Sequence, residues 1–261
     1  MKTEIVPPAL YCFFINIRNK LRGKKHQISP VPEARIYKVS DDNQSLYICR
    51  RSRHNRSKKG VAAGVDALAN QYNLGEIPTN PGDLLIDCGA NIGELGLWAK
   101  KRQMQYIAFE PEPLEARCAD LNAFDGASRT HRLALWSENT VLRFFSKAGT
   151  ADSSAIEMND FDSVHEIEAR RLDTVVDDIP PGAKIILKLE AEGAEPEVLA
   201  GAANLLPKID YVAVDCGFER GKEQTHTFVE TNTVLVDYGF RVKKANFSRM
   251  TMLYERTPAA Q

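Results

Sequence analysis

The chain lacks paired cysteines. Its five, Cys12, Cys49, Cys88, Cys118 and Cys216, are odd in number and scattered through 261 residues, with no C-x-x-C pair among them. Neither a disulfide framework nor a zinc site is expected, no metal is assigned, and a reducing compartment fits best. Also missing is any apolar run near the ~18 residues that span a bilayer. The N-terminus does not follow the basic–apolar–small order of a secretory leader. A cytoplasmic setting is the expectation. No charge sign dominates either: 34 Lys and Arg stand against 35 Asp and Glu. That balance argues against a general nucleic-acid partner. With 43% hydrophobic residues, the chain can fill one large α/β core plus a modest extension. It is too short for two full-sized domains.

What is present divides into residues 1–75 and 76–261. Pro7 and Pro8 open a predicted helix in which Leu10, Phe13, Phe14, Ile17 and Leu21 recur at helical spacing among Arg and Lys. Gly23 ends it, and Pro30 and Pro32 read as a linker. Ile36–Val39 and Leu46–Arg50 read as short strands around an Asp41-Asp42-Asn43 turn, and Val61, Val65, Leu68 and Tyr72 share one helical face. From Asp83 onward, apolar runs at Leu84–Asp87, Tyr106–Glu110, His131–Trp136, Ile185–Leu189 and Tyr211–Asp215 alternate with helical segments. This predicts parallel strands joined by crossover helices. Arg241–Lys244 and Met250–Tyr254 close the chain as a hairpin.

The strand Leu84–Asp87 runs into Asp87-Cys88-Gly89-Ala90-Asn91-Ile92-Gly93, and a helix follows. Such a loop lies at the carboxyl edge of the sheet, where ligands bind in this architecture. Gly89 permits a tight turn and a close approach to ligand; Gly93 permits close packing of helix and strand. The next strand ends in Glu110-Pro111, placing an acid about 20 residues on, where a carboxylate accepts ribose hydroxyls. The loop has neither the full G-x-G-x-x-G spacing nor a Walker lysine. Asp87 would repel a phosphate but attract the sulfonium and amino group of S-adenosylmethionine (SAM), which favours SAM over a dinucleotide. The expected cofactor contacts are Asp87, Gly89, Ala90, Asn91, Gly93, Glu110 and Pro111, with Leu135, Trp136 and Ser137 lining the adenine pocket.

D-C-G-A-N-I-G-E followed by F-E-P-E-P resembles the FkbM family of class I SAM-dependent methyltransferases. The likeness extends to L-A-L-W-S at 133–137, R-R-L-D-T at 170–174 and K-L-E-A-E-G-A-E-P-E-V-L-A-G-A at 188–202. It departs from the family pattern at Glu190, where Asp is usual. The resemblance implies methyl transfer, most often to oxygen, on sugars and natural products. The combined reading is a Rossmann-like α/β class I methyltransferase fold. Its sheet would be seven-stranded and mostly parallel with an antiparallel last strand, and it would carry a small N-terminal α/β extension of helix, hairpin and helix.

The strand Ile185–Leu189 delivers Lys188, Glu190 and Glu192 to the same edge, on one face as long as the chain stays extended. Glu190 and Glu192 are candidate catalytic carboxylates, with a buried ion pair to Lys188 as the rival reading. Glu195 reads as a helix N-terminal charge. His226, beyond the next strand, is a third proton-transfer candidate. Asp215, Glu219, Arg220 and Tyr72 are candidate acceptor contacts. His26, His54 and His165 carry no visible constellation.

The acceptor expected from the resemblance is a sugar or glycoconjugate. An O- or N-methyltransferase of a small natural product, and a non-catalytic SAM-binding protein, remain as alternatives. The basic amphipathic helix at the N-terminus suits either a membrane inner face or packing on the main domain or a second subunit, which would make a homo-oligomer. The basic stretch from Arg50 to Lys59 reads as a solvated face or a guide for a phosphorylated or nucleotide-linked sugar.

Overall fold

The computed structural model describes residues 6–33, 35–147, 149–150 and 152–257. Helix α1 (Pro8–Leu21) starts with proline in its first turn and leads into a three-stranded antiparallel sheet, β1 (Gln27–Pro30), β2 (Tyr37–Ser40) and β3 (Ser45–Ile48). β1 falls on the stretch read as a linker. It pairs with β2 from Gln27 to Pro30, and as an edge strand it tolerates Pro30, which has no N–H to donate. The basic stretch after β3 coils into a 3₁₀ helix, Arg51–Ser57, ahead of α2 (Val61–Gln71).

The main domain follows as β4 (Leu84–Cys88), α3 (Glu94–Lys101), β5 (Gln105–Phe109), α4 (Pro113–Ala123), β6 (Ala134–Leu135), β7 (Thr140–Ser146), β8 (Ser163–Arg170) and α5 (Leu172–Val175). Then come β9 (Ile185–Leu189), α6 (Glu195–Ala200), β10 (Tyr211–Asp215), β11 (Phe218–Arg220), β12 (Thr225–His226), α7 (Phe228–Asp237), β13 (Phe240–Asn246) and β14 (Thr251–Arg256). The central sheet has the order β13-β14-β10-β9-β4-β5, with β14 antiparallel to its neighbours. Alternation along the strands sorts the core. Leu85, Ile186, Ala213 and Leu253 meet Trp98 and Tyr72 on one face, while Ile86, Leu187 and Val214 meet Val198, Leu199 and Leu235 on the other.

Six strands pair continuously, and the expected seventh, His131–Trp136, divides. His131 makes a single parallel bridge to Phe109, whereas Ala134 and Leu135 pair with β8 in a separate β6-β8-β7 sheet. The buried carboxylate of Asp120 takes the N–H groups of Arg129 and Thr130 just before the bridge. Beyond it, Trp136 donates to the Arg170 carbonyl, so the chain is drawn off to the hairpin of β7 and β8.

The N-terminal sheet packs through Ile28, Val39, Leu46 and Ile48 onto Ile92 and Cys118 of the main domain. Asn122 of α4 exchanges hydrogen bonds with both backbone groups of Tyr47 and also donates to Ile92. The extension thus braces the loop after β4 from behind. α2 shares its core with α3, through Val65 and Ala69 against Leu95 and Trp98. Within the extension, buried His26 and His54 meet with ring nitrogens 3.2 Å apart. Burial first, then the neighbouring cationic groups, lowers both, His54 to about 4.

Candidate active site

Strand register brings four chain segments to one edge. Cys88 lies opposite both Phe109 and Leu189, and Leu189 lies opposite Val214. The loop after β4 turns at Gly89, whose φ of 73° suits glycine. A Cβ there would stand 2.1 Å from the Glu190 carbonyl oxygen, so the close approach is to the neighbouring loop. Gly93 is equally constrained, its absent Cβ lying 2.8 Å from the Cα of Ala119 in α4. Buried Glu110 organises the loop from β5. Its two carboxylate oxygens accept the N–H groups of Asn91 and Glu112, at 2.8 and 2.9 Å. Burial raises its carboxyl to about 7 against the pull of those two N–H groups.

Two cavities open on this edge and share Gly89, Asn91, Glu190 and Glu192. The first, about 700 Å³, has an apolar wall of Phe109, Leu133, Leu135 and Phe144 facing Glu110, Pro111 and Glu112. The connection from β7 to β8 straps across it. Ser153 donates to Glu112 at 2.7 Å, and Ser154 donates to the Glu192 carbonyl at 2.8 Å.

The second cavity, about 810 Å³, is polar. Arg53, Arg56, Gln71, Asp152, Lys188, Glu190, Glu192, Glu219 and Arg249 contribute to its wall, together with Tyr72, Asp87 and Ala90. At its floor Asp87 and Lys188 are direct cross-strand partners. The Lys188 ammonium lies 3.1 Å from Asp87 and 3.3 Å from Glu190, and donates to the carbonyls of Cys88 and Gly89. Tyr106 donates its hydroxyl to Asp87 at 2.7 Å. Asp87 therefore spends its charge inside the protein, on Lys188. Burial opposes the lysine's charge, but the two carboxylates hold it protonated. The Tyr72 hydroxyl is buried with no hydrogen-bond partner of good geometry, beside Glu190.

The carboxylates differ in protonation. Burial pushes Glu190 up, but Lys188, Tyr72 and Arg249 hold it below the usual range. Glu192 leaves the strand direction with a φ of 50°, yet it still lines the cavity wall together with Lys188 and Glu190. Burial, Glu219 and Glu190 raise it to about 10. Glu219 is raised to about 8 by burial and by Asp215 and Glu190. Glu195 clamps the loop, accepting from Ala191 and Gly193 N–H and the Thr227 hydroxyl. Buried Asp215 caps Gly217 and lies 3.5 Å from Arg249.

Several sequence candidates fall outside both cavity walls. Arg220 is bound to both carboxylate oxygens of Glu197, at 2.9 and 2.6 Å, and to the Gly193 carbonyl. His226 packs edge-on against Phe218 in the small β11–β12 hairpin. Trp136 turns its carbonyl toward Gly201, and the Ser137 carbonyl accepts from Arg171. Gly93 faces α4. Arg53, Asp152, Ser153, Phe144 and Arg249 line the cavities without belonging to any motif of the sequence. They come from remote loops and hairpins, and only the basic stretch around Arg53 carried any signal.

The methyltransferase FkbM domain model matches residues 87–242, more than half of the chain. The chain belongs to the FkbM methyltransferase family. Among curated proteins, this FkbM member is 25% identical over 198 residues to "Methyltransferase 1" of Beauveria bassiana, covering 66% of this chain and 76% of that protein. Among solved structures, magnesium protoporphyrin IX methyltransferase of Synechocystis with bound SAH aligns at a TM-score of 0.42 and 12% identity, covering 78% of this chain and 87% of that one. A SAM-dependent methyltransferase of Aquifex aeolicus aligns at 0.39 and 13%, covering 73% and 88%. The FkbM enzyme is thus a SAM-dependent methyltransferase with a Rossmann-like class I fold. Its first cavity fits the cofactor, with an apolar wall for a base and a buried carboxylate opposite.

Proposed function

We propose that this FkbM enzyme methylates a hydroxyl of a sugar or glycoconjugate in the second cavity. The observation that carries this is the wall of that cavity, where charged and amide side chains outnumber apolar ones. A polyhydroxylated acceptor satisfies such groups, whereas an apolar metabolite would leave them desolvated and unpaired. Bound SAM supplies a methyl carbon on a sulfonium, open to in-line attack. Glu110 would hold the ribose hydroxyls, and Phe109, Leu133 and Leu135 would hold the adenine. Glu190, ionised beside Lys188, accepts a hydrogen bond from the acceptor hydroxyl and orients it. Glu219, poised close to neutral pH, would take the proton the acceptor hydroxyl loses as its oxygen gains the methyl group and the carbon–sulfur bond breaks, leaving a neutral thioether. Glu192 is protonated at neutral pH and serves as a hydrogen-bond donor to the acceptor. His226 and Arg220 have no contact role in this reading.

The test is mass-spectrometric screening for SAM-dependent gain of one methylene's mass over nucleotide sugars, oligosaccharides and lipid-linked glycans, with apolar hydroxylated metabolites alongside. Methylated glycans whose new methyl carbon resonates as O-methyl support the proposal. Turnover confined to the apolar panel, or an N-methyl product, overturns it.

A further inference from the structure

Helix α1 presents two faces. Cys12, Ile15 and Asn19 point inward and are buried against the N-terminal sheet. Leu10, Phe13, Phe14, Ile17 and Leu21 point outward and are 44% to 82% exposed. At 3.6 residues per turn these five occupy roughly 100° of arc, a continuous apolar stripe. Arg18 and Lys20 fall on its two borders, and Arg22, Lys24 and Lys25 follow at its end. Residues 6–25 contain no Asp or Glu. A soluble surface seldom leaves large apolar side chains grouped like this without something to cover them.

We propose that α1 docks the enzyme on an anionic phospholipid surface. The aromatic and aliphatic stripe enters the acyl boundary, and the bordering cations stay at headgroup level. Charge decides between this and a second copy of the chain. A second α1 brings the same five cations and no acid, whereas lipid phosphates complement them. Among the described residues no helix is long and apolar enough to cross a membrane, so the contact is a surface one. The helix is coupled to the active site: Arg51 donates to the Val6 carbonyl and stacks over Tyr11 at 4.7 Å. Arg51 opens the 3₁₀ helix that carries Arg53 and Arg56 into the acceptor cavity. Docking through α1 therefore holds that cavity near the membrane surface.

The experiment is co-sedimentation of the full chain with phosphatidylcholine vesicles, with and without about 30% phosphatidylglycerol. Binding should require the anionic lipid and weaken at least about tenfold in about 0.5 M salt or in Phe13→Asp/Phe14→Asp. That variant should keep the melting temperature and SAM affinity of the parent, since neither side chain lies in the core. Three results would each overturn the proposal: no sedimentation with anionic vesicles, vesicle binding unchanged by the double substitution, or a dimer by light scattering that the double substitution dissociates. SAM binding and methyl transfer are read separately, so this outcome is independent of the acceptor.

Discussion

Glu190, Glu192 and Glu219 border one cavity, yet each meets a different electrostatic environment. Glu190 has Lys188 at 3.3 Å and stays ionised. Glu192 and Glu219 have mainly other carboxylates beside them, and burial with like charge raises them to about 10 and about 8. Sequence spacing could nominate Glu190 and Glu192 as a pair, because both follow the same strand. It could not rank them, because their pKa order depends on Lys188 below and on Glu219 from another strand end. If Glu219 takes the acceptor proton, kcat/KM should rise with pH through about 8, where the carboxyl of the free enzyme deprotonates. Glu219→Gln should lower kcat by about 10²-fold or more and flatten that limb. Initial rates across the pH range decide it; a limb that persists in the variant assigns the proton to another group.

Elements meet at the site by backbone approach, and glycine sets how close they come. Gly89 combines a positive φ with a carbonyl 2.1 Å from where its Cβ would sit. Gly89→Ala must therefore move the loop after β4 away from the loop after β9, and should cost about 2–5 kcal/mol of stability. Denaturant unfolding and SAM titration should both show the loss. Unchanged values in both would mean that the two loops separate freely. The sequence made Gly89 and Gly93 recognisable as constrained positions, but not their neighbours. Gly93 was expected to face strand packing and in fact meets α4. The divided strand at His131–Leu135 has a similar origin. Its apolar pattern fits either sheet, and the competition for hydrogen bonds between β5 and β8 is settled only in three dimensions.

At the scale of the whole molecule, the sheet presents an acidic edge suited to a cationic cofactor. Glu110, Glu219 and Glu192 are raised to about 7, about 8 and about 10 without ligand, each by burial first. A sulfonium and an ammonium favour the ionised forms, so cofactor binding should release protons and tighten as pH rises. Between about pH 6 and about pH 8, SAM affinity should increase about tenfold, and that of the product, whose sulfur is neutral, by less. Calorimetry in buffers of different ionisation enthalpy counts the protons; no release, or an equal pH dependence for both ligands, contradicts this reading.

By itself the sequence determined the local features: alternating strands and helices, the loop from Asp87 to Gly93, the acid at Glu110, the terminal hairpin and the family. Each of these rests on residues near one another in the chain, where periodicity and turn chemistry act. Only the tertiary structure decided that Asp87 neutralises Lys188, that His26 meets His54, that His226 and Arg220 lie outside the two cavity walls, and that Arg53 and Arg249 line one of them. Those outcomes depend on register and packing between segments far apart in the chain, about 100 residues for the Asp87–Lys188 pair, and a buried charge settles with whichever partner that packing brings to it.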